Sequence, residues 1–435
     1  MKLATMSLGL AAGAMFVTGV ATSAQAEELF VPVLSYRTGA FAGSGIPQAN
    51  GFTDYLELIN QRDGGVNGVK IRYEECETGY NAQKGVECYE KTKVQNALIY
   101  NPYSTGITLQ LIPKAAVDKI PVFSMGYGLS AAAVGEKFPW VFNAPATYWG
   151  QASAIIKYIQ AQEKGSLKGK KIGFIYLDVG YGREPIPVLE ELSKQLGFEL
   201  IKLPVGVKEM QNQASQWLQV RRQRPDYMVM WGWGAMNPTA VKEAAKIRFP
   251  MEKFIGVWWS GSEGDVIPAG PGAKGYKAVS FHGAGTDFPV MQDIKKFVHD
   301  KGAGVGKGSN WGEVLYNRSV FNAMLVVEAI RKAQESSGKK VINGEDMRKG
   351  MEALDLTADR LKELGFEGFA NPIRITCKDH SGAHAMFIQQ WDGSKWTKIS
   401  DWIKPMTDVV RPLLEKAASD YVSDKPNWPQ QKCAA

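Results

Sequence analysis

Short apolar runs alternate with amphipathic segments along the first half of the sequence. The runs at residues 29–35, 69–74, 97–100 and 121–124 have the length of buried strands. Between the first two, Phe52, Tyr55, Leu56 and Ile59 recur at the spacing of one helix face. Residues 81–93 and a segment ending near residue 119 predict two further helices. This alternation predicts a parallel sheet with helices on both faces.

The same alternation begins again after residue 170. Strands are predicted at residues 171–176, 199–204, 227–231 and 254–256, and helices at residues 184–196, 209–224 and 237–246. After a strand at residues 276–281 the pattern is mostly helical, with a long apolar-rich helix at residues 314–333. Residues 373–402 alternate as antiparallel strands around a turn at Asp392-Gly393. We therefore predict an α/β protein with two sheets, whose two blocks meet near residues 142–149.

Composition excludes several classes of protein. The 435 residues carry a net charge of +7, spread without a block of like charge, which disfavours a nucleic-acid footprint or a polybasic membrane anchor. Apolar residues make up 45% of the chain, which argues against intrinsic disorder. The 12 tryptophans are an unusual feature of the composition.

The first 26 residues have the pattern of a secretory signal peptide. Lys2 supplies a positive start, residues 8–20 are apolar or small, and Ala24-Gln25-Ala26 fits a cleavage site. The apolar stretch is too short and too diluted with small residues for a membrane anchor. We predict export and cleavage after Ala26.

Export places the four cysteines in an oxidising compartment. Four cysteines allow three pairings. We favour Cys76–Cys88, which are close in sequence, together with Cys377–Cys433, which would fix the C-terminal tail. Free buried thiols are the alternative.

Signatures of enzymes and metal sites are absent from the sequence. Cys377, His380 and His384 have a spacing that can bind zinc, but no fourth ligand is evident and a disulfide would consume Cys377. No G-x-S-x-G motif occurs. We predict no catalytic residues, no metal and no cofactor.

Candidate ligand-binding residues follow the predicted strands, because open α/β sheets bind ligands at the carboxyl ends of their strands. Hydroxyls, backbone N–H groups and aromatic faces in these loops suit a small polar head on an apolar body. The candidates are Ser44, Tyr103, Ser104, Thr105, Ser124, Gly126, Tyr127, Tyr181, Trp233, Trp258 and the adjacent Trp259. Tyr148, where the two blocks meet, is a further candidate.

Several stretches, taken in order, resemble one family. They are residues 39–41, the segment INQRDGGVNG at residues 59–68, Ser104-Thr105, IPVFS at residues 120–124, residues 178–182, Tyr316-Asn317 and residues 365–368. In this order they resemble the periplasmic solute-binding proteins of ABC importers, most closely the Leu/Ile/Val-binding family of type I fold. The resemblance covers roughly residues 28–400.

This resemblance implies a two-lobe, Venus-flytrap architecture with three hinge crossovers, near residues 142–148, 281–287 and 373–384. The N-terminal lobe would comprise residues 27–145 and 286–375, and the C-terminal lobe residues 146–285 and 376–402. Residues 403–435 would be an extension. The family implies a periplasmic, monomeric protein that binds no nucleic acid and delivers a small ligand to an ABC permease. A ligand-sensing receptor domain of the same fold is the alternative.

The resemblance also implies a ligand site, with two departures. Ser104 and Thr105 match the residues that hold the ligand carboxylate in the family, and Tyr181 matches its tyrosine in the second lobe. However, Gly128 stands where amino-acid binders have threonine, and Trp258 where they have an acid that pairs with the ligand ammonium. A buried ammonium without such a partner is costly.

Glu263 could replace the missing acid if its loop curls inward; otherwise the ligand lacks an α-ammonium. The expected ligand is therefore a small amphipathic carboxylate, either a branched-chain amino acid or an aromatic acid, and an amide also fits. The aromatic candidates favour an aromatic or bulky apolar body.

Overall fold

The computed structural model describes residue 1, residues 28–382 and residues 385–434. The predicted cleavage site at Ala26 and residue His384 of the zinc-like spacing therefore lie outside the described residues. Within the described residues, no helix combines the length and the apolar character needed to cross a membrane.

The first lobe is built on a parallel sheet. Strand β1 (Glu28–Ser35) pairs with β2 (Lys70–Glu77) on one side, and residues 97–101 bridge β1 to β3 on the other. Strand β3 (Val122–Phe123) then pairs with β4 (Val141–Phe142). The helices connecting these strands are α1 (Ala42–Arg62), α2 (Ala82–Lys93) and α3 (Thr105–Asp118).

The second lobe contains a seven-stranded sheet. Its five parallel strands are β5 (Lys171–Leu177), β6 (Glu199–Val205), β7 (Tyr227–Trp231), β8 (Phe254–Gly256) and β9 (Lys277–Ser280). Strands β12 (Phe387–Trp391) and β13 (Trp396–Lys398) extend it antiparallel, and the order across the sheet is β13-β12-β9-β8-β7-β5-β6. The helices that follow or precede the parallel strands are α4 (Tyr148–Gln162), α5 (Gly180–Arg183), α6 (Ile186–Leu196), α7 (Ala214–Gln223), α8 (Met236–Lys246) and α9 (Glu263–Val266).

After β9 the chain returns to the first lobe. The returning elements are α10 (Pro289–Ile294), α11 (Val314–Ser337), α12 (Gly344–Glu352), β10 (Asp355–Leu356), α13 (Ala358–Glu363) and β11 (Ile373–Arg374). Helix α11 packs closely on α1. The two helices approach so closely at Gly51 that a β-carbon there would lie 2.2 Å from the Tyr316 carbonyl oxygen. The chain thus crosses between the sheets three times: after β4, after β9 and after β11. This is the two-lobe α/β architecture predicted from the sequence.

Two local expectations are corrected. Ser44 was expected in a loop after the first strand, but α1 begins at Ala42, so Ser44 and Gly45 lie in its first turns. A β-carbon on Gly45 would lie 2.1 Å from the Tyr36 carbonyl oxygen, so this glycine permits helix and strand to pack closely. Residues 97–100 were expected to form a strand. In the structure they make only single bridges to β1 and β3.

The C-terminal extension lies across both lobes. Helix α14 (Thr407–Val422) packs against α4 of the second lobe and against the 3₁₀ turn Ser130–Ala133 of the first. Beyond it, the Trp428 indole N–H donates to the Lys137 carbonyl (2.6 Å) and the Gln431 amide donates to Glu352 (2.6 Å). The extension therefore joins the hinge side of both lobes.

Two disulfides join the cysteines in the pairing that the sequence favoured, Cys76–Cys88 and Cys377–Cys433. They close loops with sequence separations of 12 and 56 residues. By the chain-entropy relation, they stabilise the fold by about 3 and about 4 kcal/mol respectively.

We therefore expect the double variant Cys377→Ser/Cys433→Ser to lose about 1 kcal/mol more stability than Cys76→Ser/Cys88→Ser. Urea unfolding of both double variants beside the wild type measures this difference. A larger loss from the Cys76–Cys88 pair would contradict the loop-length argument.

Candidate functional site

A cavity lies between the lobes, where the carboxyl ends of both sheets face each other. It encloses about 240 Å³, part of which is open to solvent. Every lining residue follows a strand or lies at the first crossover. We call the interlobe cavity the space lined by Tyr80, Tyr103, Ser104, Thr105, Tyr127, Tyr148, Tyr181, Trp233 and Trp259.

The polar end of the interlobe cavity is the start of helix α3. Ser104 caps this helix, and its hydroxyl accepts from the Ile107 backbone N–H. The Thr105 hydroxyl accepts from the Gly128 N–H (3.2 Å) and lies 3.0 Å from the Tyr148 hydroxyl. The first N–H groups of a helix have no acceptor within it, and the helix dipole adds positive potential there. This end of the cavity suits an anionic group.

The rest of the cavity wall is aromatic. Tyr103 and Tyr127 stack at 6.3 Å between ring centroids, and Trp259 meets Tyr127 and Trp233 edge to face, each at 5.7 Å. The Tyr127 hydroxyl donates to Asn101 (2.6 Å) and accepts from the Tyr103 backbone N–H (2.6 Å), which fixes the ring. A wall of this kind suits a flat or bulky apolar body.

The lining residues carry no charge. Burial raises the pKa values of Tyr80, Tyr103, Tyr127, Tyr148 and Tyr181 above the ordinary range of tyrosine, so these phenols stay neutral. No aspartate, glutamate, lysine, arginine or histidine is among the lining residues described. An ammonium group in this cavity would therefore meet no carboxylate.

Of the thirteen sequence candidates, which include Glu263, eight line the interlobe cavity. They are Tyr103, Ser104, Thr105, Tyr127, Tyr148, Tyr181, Trp233 and Trp259. The structure places the other five outside the cavity lining.

Ser44 lies at the outer edge of the cleft, beside Phe41 and Asp265 rather than in the cavity. Its helix begins before residue 44, so the side chain does not reach the ends of the strands. The Ser124 hydroxyl donates to the Phe142 carbonyl (3.2 Å) and accepts from Asn143 (3.0 Å), beneath the cavity wall.

Gly126 and Trp258 pack against each other behind the wall. A β-carbon on Gly126 would lie 2.0 Å from the Trp258 ring, and the Trp258 side chain is fully buried. The 3₁₀ turn Trp258–Ser260 directs Trp259 into the cavity and Trp258 away from it. Trp258 is thus part of the core.

Glu263 does not turn into the cavity. Its carboxylate accepts from the Val314 backbone N–H at the start of α11 (3.0 Å), and burial raises its pKa to about 7. Glu263, which was expected to pair with a ligand ammonium, instead joins the second lobe to α11.

The presence of glycine rather than threonine at position 128 also has a physical reason. A β-carbon at this position would lie 2.8 Å from the Thr108 methyl carbon, and the residue has a φ of +85°. A threonine at this positive φ would be strained, which favours glycine here.

Sequence reasoning missed Tyr80. It follows β2 by three residues, at the same sheet edge as the other candidates, with a φ of +61°. Its ring packs on Tyr36 and Phe41 at 4.9 and 4.4 Å between centroids. The position of an aromatic residue after a predicted strand was the available signal.

Asp265 is a buried carboxylate at the edge of the cleft. One oxygen accepts from the Ser262 N–H (2.7 Å) and hydroxyl (2.8 Å), and the other from Asn237 (2.9 Å). Burial raises its pKa to about 6, above the ordinary value of about 3.9. The raised pKa means that the protonated form is favoured in the folded protein. The stabilisation that this group supplies is therefore present below about pH 4 and is lost as the pH rises through 6.

We expect Asp265→Asn to remove this pH dependence. Between pH 4 and pH 7 the wild type should lose up to about 3 kcal/mol relative to the variant. Urea unfolding of both proteins at the two pH values measures the difference, with Asp401→Asn as an exposed control. Parallel pH profiles for wild type and Asp265→Asn would refute the assignment.

Comparison with known proteins identifies the family. The family model for periplasmic binding proteins matches residues 28–395. The chain belongs to the periplasmic binding protein family. Members of this family are solute-binding proteins rather than enzymes, and they act outside the cytoplasm. A comparison with curated protein sequences gives no match.

Solved structures of ABC-transporter proteins share the fold of this periplasmic binding protein. One from the Pseudomonas fluorescens group, described as an ABC transporter permease, is 40% identical with a TM-score of 0.87, covering 94% of this chain and 100% of that chain. A branched-chain amino acid ABC transporter protein from Thermus thermophilus, with bound valine, is 21% identical with a TM-score of 0.75, covering 89% and 98%. A solute-binding protein from R. palustris in complex with benzoate is 17% identical with a TM-score of 0.66, covering 87% and 97%.

Proposed function

We propose that this periplasmic binding protein captures a small carboxylate with an aromatic or branched apolar body and no ammonium group, and delivers it to an ABC permease. The observation that carries the proposal is the chemistry of the interlobe cavity. A helix start with two hydroxyls, Ser104 and Thr105, forms one end, and aromatic rings without any acidic side chain form the remainder.

The size of the cavity supports a small ligand. The space between the lining side chains, about 240 Å³ including open solvent, is small, so only a small ligand fits without separation of the lobes. A single ring or a short branched chain with one polar head is in proportion to this space. The benzoate bound to the R. palustris protein has this chemistry.

Each lobe would contact a different part of the ligand. Ser104 and Thr105 of the first lobe would hold the carboxylate, while Tyr181, Trp233 and Trp259 of the second would cover the apolar body. Because both lobes contact the same ligand, binding favours the closed arrangement over the open one. Closure would then present both lobes together to the permease.

A thermal-shift screen of residues 27–435 tests the proposal. Benzoate, 4-methylpentanoate, their amides, leucine and valine are added singly to the protein. A ligand at 100 times its dissociation constant stabilises the fold by about 2.7 kcal/mol, which raises the melting temperature by a few degrees. We expect the carboxylates to give the largest shifts. If no carboxylate shifts the melt while leucine or valine does, the proposed ligand class is wrong.

A further inference from the structure

Arg318 is a buried cation behind the wall of the interlobe cavity. It lies on α11 and its side chain is fully buried. Asn322, one helical turn later on the same face, donates to the hydroxyl of the cavity residue Tyr103 (2.6 Å). The face of α11 that carries Arg318 is therefore the face turned to the cavity wall.

Among the described residues, the groups that the guanidinium contacts are neutral. Its Nε donates to His282 Nε2 (3.0 Å) and its Nη1 to the Trp258 carbonyl. Its central carbon lies 5.0 Å from the ring centroid of Trp259, a cavity residue, and 5.5 Å from that of Phe281. Beside this cation, burial and the positive charge hold the pKa of His282 well below its usual range, so His282 is a neutral acceptor.

Arg318 also lacks a carboxylate partner. Among the described residues no acid contacts its guanidinium, and Nη2 is buried without a hydrogen-bond partner. Asp265 and Glu263 raise the pKa of Arg318 by their charge, but neither contacts its guanidinium: Asp265 accepts from Ser262 and Asn237, and Glu263 accepts from Val314. A buried charge without a partner is costly unless something else supplies the opposite charge.

The group keeps its charge at neutral pH. Burial lowers the pKa of Arg318 to about 9, which still leaves the guanidinium protonated at pH 7. In a low-dielectric interior a charge acts over several ångströms. The guanidinium lies against the ring of Trp259, which lines the space where the ligand would lie.

We propose that Arg318 determines the charge class of the ligand: its positive charge behind the Trp259 ring selects a carboxylate anion over a neutral molecule of the same shape. The inference rests on the proposed function and deepens it, because it assigns the preference for an anion to one residue outside the cavity lining. Asp265 and Glu263 act on Arg318 only from a distance, so an anionic ligand would add counter-charge on the side of the cavity. Arg318 is thus a specificity-determining residue that acts through the electrostatic potential of the cavity.

A merely structural role makes a different prediction. Arg318 connects α11 of the first lobe to the Trp258 carbonyl of the second, so it could act only by holding the lobes together. In that case its removal would weaken charged and neutral ligands equally. The ratio of the two affinities separates the alternatives.

The experiment compares matched pairs of probes by isothermal titration calorimetry on residues 27–435. The pairs are benzoate with benzamide, and 4-methylpentanoate with 4-methylpentanamide. We expect wild type to bind each carboxylate at least about tenfold more tightly than its amide. Arg318→Lys should keep most of this preference, and Arg318→Met should reduce the ratio to about one while amide affinity changes little. Arg374→Met, which removes an exposed arginine, is the control for net charge and should leave the ratio unchanged.

Each outcome decides the proposal. An unchanged ratio in a folded Arg318→Met variant overturns it, as does an equal loss of affinity for acid and amide. Should Arg318→Met fail to fold, the wild-type ratio still decides, because a ratio of one or less in both pairs contradicts an anion-selecting charge. If wild type binds none of the four probes but binds leucine or valine, the proposed function itself fails. That result is distinct from tight, charge-blind binding of all four probes, which overturns only the role of Arg318.

Discussion

Replacing Trp258 by alanine is expected to destabilise the protein by about 3–5 kcal/mol, the range for removing a large buried aromatic side chain. The Trp258 ring is fully buried and meets Phe281 at 4.6 Å between centroids, edge to face. It also fills the space against Gly126, where no side chain could fit beside it. Removing the indole would leave a cavity at the contact between the lobes.

Urea unfolding of Trp258→Ala and Trp258→Phe measures this effect. The phenylalanine variant keeps most of the apolar volume and should lose much less stability than the alanine variant. A loss below about 1 kcal/mol for Trp258→Ala, together with weakened ligand binding, would instead make Trp258 a ligand contact. The sequence alone suggested that interpretation.

Blocking the interlobe cavity is expected to abolish ligand binding. In Thr105→Trp, the indole would occupy much of a space of about 240 Å³ and would remove the Thr105 hydroxyl from Gly128 and Tyr148. We expect the dissociation constant for the carboxylate with the largest thermal shift to rise at least about 100-fold, a loss of about 2.7 kcal/mol. Overpacking adds a stability cost of about 1–3 kcal/mol, which leaves a domain of ordinary stability folded.

Val117→Trp is the matched control, because Val117 lies on the same helix and is 81% exposed. It should bind the carboxylate as the wild type does. Circular dichroism establishes that both variants are folded before calorimetry is performed. If folded Thr105→Trp binds normally, the ligand occupies another site.

The fold could be predicted from sequence because the spacing of the apolar residues and the length of the apolar runs indicate the secondary structure. The buried runs that became β1, β5 and β7 are continuous and apolar, and the stripe from Phe52 to Ile59 marked one face of α1. The start of α1 could not be predicted, because glycines such as Gly45 normally indicate a loop. Only the packing against Tyr36 shows why this glycine is in a helix.

The site was predicted only in part, for a different reason. Strand ends identify the edge of a sheet, so Tyr103, Thr105 and Tyr181 could be found from their positions after predicted strands. Which of two adjacent residues faces the ligand depends on local backbone geometry. The 3₁₀ turn after β8 decides between Trp258 and Trp259, and no pattern in the sequence encodes it.

The central claim is that the interlobe cavity accepts a carboxylate without an ammonium group. Leucine and 4-methylpentanoate differ only in that group, so calorimetric titration of both into residues 27–435 tests the claim directly. A buried ammonium without a carboxylate partner costs several kcal/mol. We predict that 4-methylpentanoate binds at least about 100-fold more tightly than leucine. Equal or tighter binding of leucine would contradict the account.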